Sequence, residues 1–289
     1  MKLALGTVQF GLPYGVANQR GQVSPAEAAA ILAAARNAGI DTIDTAIAYG
    51  DSEACLGQAG VAGLKLVTKL PPVPPQCGDV AVWVRAQVLA SLHRLGLERL
   101  HGLLLHQVGQ LSGAHGAVLV ACLQTLKAEG LVDKIGVSIY DPDDLKMATA
   151  VGLIDLVQAP FNLFDRRLLH SGYLHRLAEH GTEVHVRSAF LQGLLLMSPA
   201  AVPAKFAPWA EQLGAWHGWL GAHPHISAAR ACLAFVAGHT QVDRIVIGVD
   251  DLPQLQQLLA VAALPPPEAL PDLSCTDEML INPSNWNSL

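Results

Sequence analysis

The chain has 289 residues, of which 51% are hydrophobic and only 15% charged, with a formal net charge of −6. That balance excludes a disordered chain, and the lack of any Lys/Arg cluster excludes a nucleic-acid footprint. No apolar stretch nears the roughly 18 residues of a membrane span, so no membrane partner is expected either. The opening MKLALGTVQFGLPYG breaks at Gly6 and Gln9 and does not read as a secretion signal. Cys55, Cys77, Cys122, Cys232 and Cys275 show no CxxC pairing. They read as free thiols in a reducing compartment, which predicts a cytoplasmic protein.

A short apolar run followed by an amphipathic segment recurs along the chain. LALGTVQF predicts a strand. SPAEAAAILAAARNAG predicts a helix with Ser24 as N-cap, Pro25 at its first position, Glu27 in capping-box register and Gly39 at its end. IDTIDTA and a helix from about Asp51 form the second pair. LKLVTKL precedes VAVWVRAQVLASLHRLG, and LHGLLLH precedes GAVLVACLQTLKAEG, which Gly130 stops. KIGVSIY leads into DPDDLKMATAVG, where Asp141 is the expected cap and Pro142 the first helical residue. IDLVQAPFN with SGYLHRLAEHG, TEVHVRSAF with SAARACLAFVAGH, and DRIVIGV with DLPQLQQLLAVA complete eight pairs.

Continuous apolar strands alternating with helices predict a parallel sheet covered by helices. Eight pairs predict its closure into a single (β/α)8 TIM barrel domain spanning 1–289. Two segments break the rhythm. Residues 194–226 form a long irregular connection whose Trp209, Trp216 and Trp219 have near-helical spacing and read as core. The proline-rich tail, 264–289, carries Trp286 and is expected to wrap the barrel, cover its amino end, or fold over a pocket.

In such barrels reactive groups sit at the carboxyl ends of strands. Asp44 ends the second strand, Lys69 the third and His106 the fourth, with Tyr49 in the loop after the second. Four titratable groups at neighbouring strand ends outweigh the structural reading each would carry alone. A phenol beside an ammonium, itself held by a carboxylate, is expected to have its pKa lowered toward the range of a general acid–base. A neutral His106 could orient a substrate carbonyl toward Tyr49. None of the four is a reductant, so hydride must come from a cofactor.

GIDTIDTAIAYGDSE, VTKL and LLLH together resemble the signatures of the aldo-keto reductases, and the likeness continues through KIGVSIY, DLVQAPFNLFD, VRSAFLQGLLL and IVIGV. The resemblance implies a (β/α)8 barrel that reduces aldehydes and ketones with NAD(P)H, with Asp44, Tyr49, Lys69 and His106 as catalytic tetrad and Tyr49 as proton donor. It also implies that Gly6 and Thr7, together with Asp44, line the nicotinamide pocket and that Gln158 bonds the carboxamide. Ser138 matches the first residue of a Ser-Asn pair whose second member is Ile139 here. Arg187 stands where a nicotinamide-stacking tyrosine is usual. Ser188, Leu191, Gln192 and Gly193 are expected to serve the pyrophosphate, and Gly248, Gln254 and Gln257 the adenosine end, where Leu258 replaces a common asparagine. The family default is NADP(H). Asp250 and Asp251 would repel a 2′-phosphate, which makes NAD(H) possible. Many members of that family start with a β-hairpin under the barrel, whereas this sequence is expected to enter its first strand at once.

Two other classes stay open on the residues: a Schiff-base lyase using Lys69 as nucleophile, and a cofactor-binding regulatory protein with slow turnover. His217, His223 and His225 lack a metal-ligand spacing, so no metal is expected. The resemblance implies a small-molecule carbonyl substrate. Gln9, Asn162, Arg166 and Arg187 hint at a polar, sugar-like one, and nothing in the sequence sets an oligomeric state.

Overall fold

In the computed structural model, which describes residues 2–289, eight parallel strands close into a barrel in chain order: β1 (Leu3–Gly6), β2 (Thr42–Asp44), β3 (Lys65–Leu70), β4 (Leu100–Leu105), β5 (Val132–Ser138), β6 (Leu156–Pro160), β7 (Glu183–Arg187) and β8 (Arg244–Gly248). Closure is made by β8 against β1, with Leu3 opposite Ile245 and Gly6 opposite Gly248. This is the predicted (β/α)8 barrel. The helices are α1 (Val8–Gly11), α2 (Pro25–Asn37), α3 (Ser52–Ala59), α4 (Val80–Leu95), α5 (Gly116–Ala128), α6 (Asp144–Ala150), α7 (Arg167–His170), α8 (Tyr173–Glu179), α9 (Ala210–Ala222), α10 (Ala228–Ala237), α11 (Leu252–Ala262) and α12 (Glu278–Ile281). None of these helices is long and apolar enough to cross a membrane.

Local signals account for most helix starts. Ser24 caps α2, Asp79 caps α4, Ser227 caps α10 and Asp251 caps α11, each accepting a first-turn N–H. Glu27 does not turn back to Ser24 as a capping box requires. Its carboxylate instead accepts the backbone N–H of Leu252, 2.7 Å away, and so joins α2 to the start of α11. The expected cap at Asp141 also differs. Residues 141–143 form a turn, and α6 begins only at Asp144, whose Oδ2 accepts the N–H groups of Tyr140 and Asp141. Asp141 still accepts the Asp143 N–H through Oδ1 at 2.7 Å, so it caps this turn ahead of α6, while its Oδ2 pairs with Arg167 at 3.1 Å.

The segment 194–226 is more ordered than its sequence predicts: three short 3-10 turns lead into α9. Trp216 is fully buried and donates its indole N–H to Leu195 O. The tail packs against the segments that follow β6 and β7, not across the barrel's amino end. Cys275 N donates to Phe164 O, Arg166 pairs with Asp272, the Trp209 indole donates to Asp277, and Trp286 packs edge-on against Phe206.

Inside the barrel the two-residue period of the strands sets what faces the axis. Val67, Leu104 and Leu156 form a small apolar cluster apart from the main core between strands and helices. Two residues further along the same strands come Lys69, His106 and Gln158. The layer above an apolar plug is therefore polar, and that positions the site.

Candidate active site

Asp44 and Lys69 form the centre of this layer. Lys69 Nζ donates to both carboxylate oxygens of Asp44, at 2.7 and 2.8 Å, and to Thr45 O at 2.8 Å. Both side chains are buried. Burial pulls the Lys69 ammonium below its usual value, and the Asp44 carboxylate pulls it back up. The Gln158 amide adds a 2.6 Å bond to Asp44 Oδ1.

Tyr49 lies over this pair, its ring centre 5.1 Å from Lys69 Nζ and 5.8 Å from the His106 ring, edge to face. The loop that carries it is held by close backbone approach. A Cβ on Gly11 would fall 1.7 Å from Tyr49 O, and one on Gly50, at φ +52°, 2.5 Å from Gly11 O. Beneath the loop, Ser52 Oγ bonds Thr7 O, Thr7 Oγ1 and Thr45 Oγ1, tying the ends of β1 and β2 to α3. Glu53, nearly fully buried, accepts from Thr68, Ser91 and Arg94 and fastens α3 to β3 and α4.

The electrostatics correct one expectation. The Tyr49 phenol is not acidified: burial pushes it above its usual value, the Asp44 carboxylate adds to the rise, and the Arg187 guanidinium opposes it. The reason is geometric. The three hydrogens of Lys69 are directed to Asp44 and Thr45, so the ammonium offers Tyr49 no hydrogen bond. His106 is lowered to about 4, by burial first and by Lys69 next, which makes it neutral at physiological pH.

Tyr49, His106 and Asp44 line a cavity of about 820 Å³ at the barrel mouth. Of the other predicted residues, Gly6, Thr7, Ser138, Gln158, Arg187, Ser188, Gln192, Gly193, Gly248, Gln254 and Gln257 line it too. Lys69 and Leu191 do not. Lys69 lies beneath its floor, and Leu191 is buried under the loop after β7, its N–H turned back to Ser188 O. The Gly193 N–H is likewise committed to Phe190 O, and the Gln192 amide to the Tyr14 hydroxyl. Ile139 packs its side chain into the core, leaving no polar group at that position. Asn162 and Arg166 are outside the cavity lining. Asn162 accepts the Phe164 N–H in its own loop and donates to Ser188 O in the loop after β7, and Arg166 holds the tail.

Tyr14, Asn18 and Tyr140 line the cavity without having been singled out from the sequence. Tyr140 follows β5 by two residues, so the strand-end rule used for Asp44 and His106 would have found it. Tyr14 lies eight positions past β1 and gave no such signal.

The residues present fit a nicotinamide dinucleotide. Gln158 Oε1 and Gln9 Oε1 are buried acceptors at the cavity wall with no hydrogen-bond partner, the complement of a carboxamide N–H. Three non-glycine residues after β7 adopt left-handed backbone, Ser188 (φ 61°), Leu191 (φ 46°) and Gln192 (φ 51°), a strain of the kind concentrated at ligand-binding loops. At the far end Asp251 caps α11 and pairs with Arg20 at 3.1 Å. Asp250 faces the cavity with its carboxyl raised by burial.

The profile of the Aldo/keto reductase family matches residues 2–269. An NADH-specific methylglyoxal reductase of Escherichia coli is 31% identical over 191 residues, which span 56% of this chain and little more than half, 56%, of that relative. An aldo-keto reductase of Mycolicibacterium vanbaalenii is 33% identical over 214 residues, 67% of this chain and 73% of its own. Among solved structures, an aldo-keto reductase from Pseudomonas aeruginosa superposes with a TM-score of 0.66 at 27% identity, covering 91% of this chain and 89% of its own. Aldo-keto reductase AKR11C1 from Bacillus halodurans gives 0.71 at 20% identity over 92% and 88%, a likeness of fold. With the family profile matched over residues 2–269 of a closed parallel barrel, the chain belongs to the aldo/keto reductase family.

Proposed function

We propose that this protein reduces the carbonyl of a small aldehyde or ketone to an alcohol, with Tyr49 as the proton donor. The observation that carries the reading is the stacking of functions around one wall of the cavity: a protonated phenol and a neutral imidazole in edge-to-face contact, above a buried Lys69–Asp44 pair. Gln158, Ser188 and Gln192 are the residues that would hold the dinucleotide, which when bound supplies the hydride. Neutral His106 donates to the substrate oxygen and aligns it. Tyr49, kept protonated by its burial, then delivers its hydrogen to that oxygen as negative charge develops there. Lys69, charge-paired below, supplies positive potential toward the resulting phenolate without competing for the substrate.

Cofactor choice leans to NADH. Asp250 at the cavity wall and the buried Asp251 disfavour a 2′-phosphate, and the Escherichia coli relative is described as NADH-specific. The substrate is polar, a sugar-like aldehyde included, because Gln9, Tyr14, Asn18 and Arg187 share the lining with Tyr49. The lyase alternative finds no support in Lys69, whose amine is fully buried and saturated.

The test is a screen of aldehydes, ketones and aldoses with NADH and NADPH, following nicotinamide absorbance, on wild type and Tyr49→Phe. Wild-type turnover with loss of several orders of magnitude in Tyr49→Phe, and NADH binding retained by fluorescence, is expected. Retained turnover in the variant removes Tyr49 from this role. NADH binding a hundredfold weaker than NADPH removes the cofactor preference.

A further inference from the structure

β5, β6 and β7 are neighbours in the barrel, and Arg187, the last residue of β7, reaches across the end of the middle one. Its Nη2 donates to Ile139 O, just past β5, at 2.9 Å, and its Nη1 to Ser188 Oγ at 3.3 Å. The guanidinium lies 4.3 Å from the centre of the Tyr140 ring, also just past β5. The side chain therefore passes over the carboxyl end of β6, the strand that carries Gln158. There the Gln158 backbone O accepts the Ile139 N–H at 2.8 Å, and the Gln158 side chain presents its buried, unpartnered Oε1. Arg187 and Gln158 both line the cavity.

These positions say where a dinucleotide would put its ring. Gln158 Oε1 suits the carboxamide N–H, and the left-handed loop that suits the diphosphate begins at Ser188. A nicotinamide joined to both lies between them, and the side chain found between them is Arg187. One face of its guanidinium is against Tyr140, which leaves the other for a planar ring in the cavity.

Arg187 is also a charge without a counter-charge. Among the described residues Arg94 pairs with Glu53, Arg167 with Asp165 and Arg244 with Asp41, and Lys69 beneath the cavity pairs with Asp44. The partners of Arg187 are a carbonyl, a hydroxyl and a ring. A guanidinium does not give up its proton in a protein, so this charge is permanent. The two forms of a nicotinamide cofactor differ by one positive charge, and that charge is on the ring.

We propose that Arg187 discriminates the oxidation state of the cofactor: the neutral dihydropyridine ring of NADH is held beside this cation, and the pyridinium ring of NAD+ is repelled by it. The inference rests on the nicotinamide reading of the cavity and not on Tyr49 as proton donor. By this repulsion Arg187 keeps the reduced cofactor in place and helps to expel the oxidised one after each reductive turnover. The same inequality raises the reduction potential of the bound couple, by about 30 mV for each tenfold in the ratio of the two dissociation constants.

The test is titration calorimetry without substrate, giving dissociation constants of NADH and NAD+, with NADPH and NADP+ as a second pair. The proteins are wild type, Arg187→Gln, Arg187→Met and Arg187→Lys, each checked by thermal melting, so that a second neutral variant is at hand if one fails to fold. Wild type is expected to bind the reduced form about tenfold or more tighter than the oxidised one. Arg187→Gln and Arg187→Met should cut that ratio by roughly 10- to 100-fold, the size of one partly screened contact between like charges, chiefly by tightening the oxidised form. Arg187→Lys, which keeps the charge, should keep most of the ratio. A guanidinium that only packs would change both affinities by the same factor, so an unchanged ratio in the neutral variants overturns the proposal. Equal binding of the two forms by wild type overturns it as well. If neither form binds, the cofactor reading fails and the inference with it. If the ratios behave as expected and no carbonyl is reduced, only the carbonyl-reducing proposal fails.

Discussion

Lys69 Nζ lies 5.1 Å from the centre of the Tyr49 ring yet sends its hydrogens to Asp44 and Thr45. Proximity of an amine to a phenol therefore does not acidify the phenol here. In the proposed reaction the phenol is poised by being held neutral in a buried place, and the ammonium would act on the phenolate formed by transfer.

That arrangement predicts the pH profile of reduction. Tyr49 is raised, so it stays protonated through pH 9, and His106, at about 4, stays neutral above pH 5 to 6. The kcat/KM for reduction should be flat between pH 6 and 9 and fall only in the acid, as His106 gains a proton and can no longer fill the same hydrogen-bonding role. A steady-state profile with an alkaline limb centred near pH 8 would show instead that the phenol is acidified in the working enzyme.

Breaking the Lys69–Asp44 pair one partner at a time should cost far more than removing both. Asp44→Asn leaves an amine buried at 1% exposure without a carboxylate. Loss of about 3–5 kcal/mol in urea unfolding is expected, as for other buried pairs deprived of one member. Asp44→Asn combined with Lys69→Met should recover a large part of that stability while remaining inactive. Additive losses in the double-mutant cycle would contradict the coupling.

Gly11→Ala tests how Tyr49 is held. The new methyl group would meet Tyr49 O at 1.7 Å, a backbone atom that cannot rotate away. Overpacking of this kind costs about 1–3 kcal/mol, and the Tyr49 loop must move outward. Since a displacement of about 1 Å can cost on the order of 10²-fold in rate, kcat should fall by that order even in protein that still melts cooperatively. Wild-type kcat in this variant would mean that the loop is placed by something other than this contact.

At the amino end of the barrel, burial works against ionisation of Glu183. Hydrogen bonds from His101, His185 and Lys134 nevertheless hold its carboxyl well below the usual range. With the folded value below the unfolded one of about 4.3, the folded state binds fewer protons. The stabilisation is therefore present above that pH and is lost as pH falls toward the folded value. Glu183→Gln should lower stability at pH 7 by about 1–3 kcal/mol and flatten the stability loss between pH 5 and 3. An unchanged acid profile, measured by thermal melting, would show that the cluster does not contribute.

The strands and most helix starts were legible because their signals are local. A parallel strand buried on both faces is a continuous apolar run, and a Ser or Asp three residues before a free N–H caps it wherever the chain goes next. The resemblance in GIDTIDTAIAYGDSE, VTKL and LLLH also led to the right family, and Asp44, Tyr49 and His106 do meet at one cavity. Asp141 does accept a nearby N–H as expected, but it closes a turn and the regular helix begins only at Asp144. Glu27 looked like half of a capping box and serves a helix 225 positions away.

The sequence by itself determined which segments are strands and helices, that eight such pairs close, and which residue types stand at the strand ends. The tertiary structure decided how those groups share hydrogen bonds: Lys69 saturated by Asp44 and Thr45, Gln158 reaching Asp44 across 114 positions, Arg187 left without a carboxylate. Periodicity and capping act over a few residues, whereas the partner of a buried charge depends on which atoms barrel closure brings within 3 Å. Protonation and specificity follow from that distance and not from the order of residues in the chain.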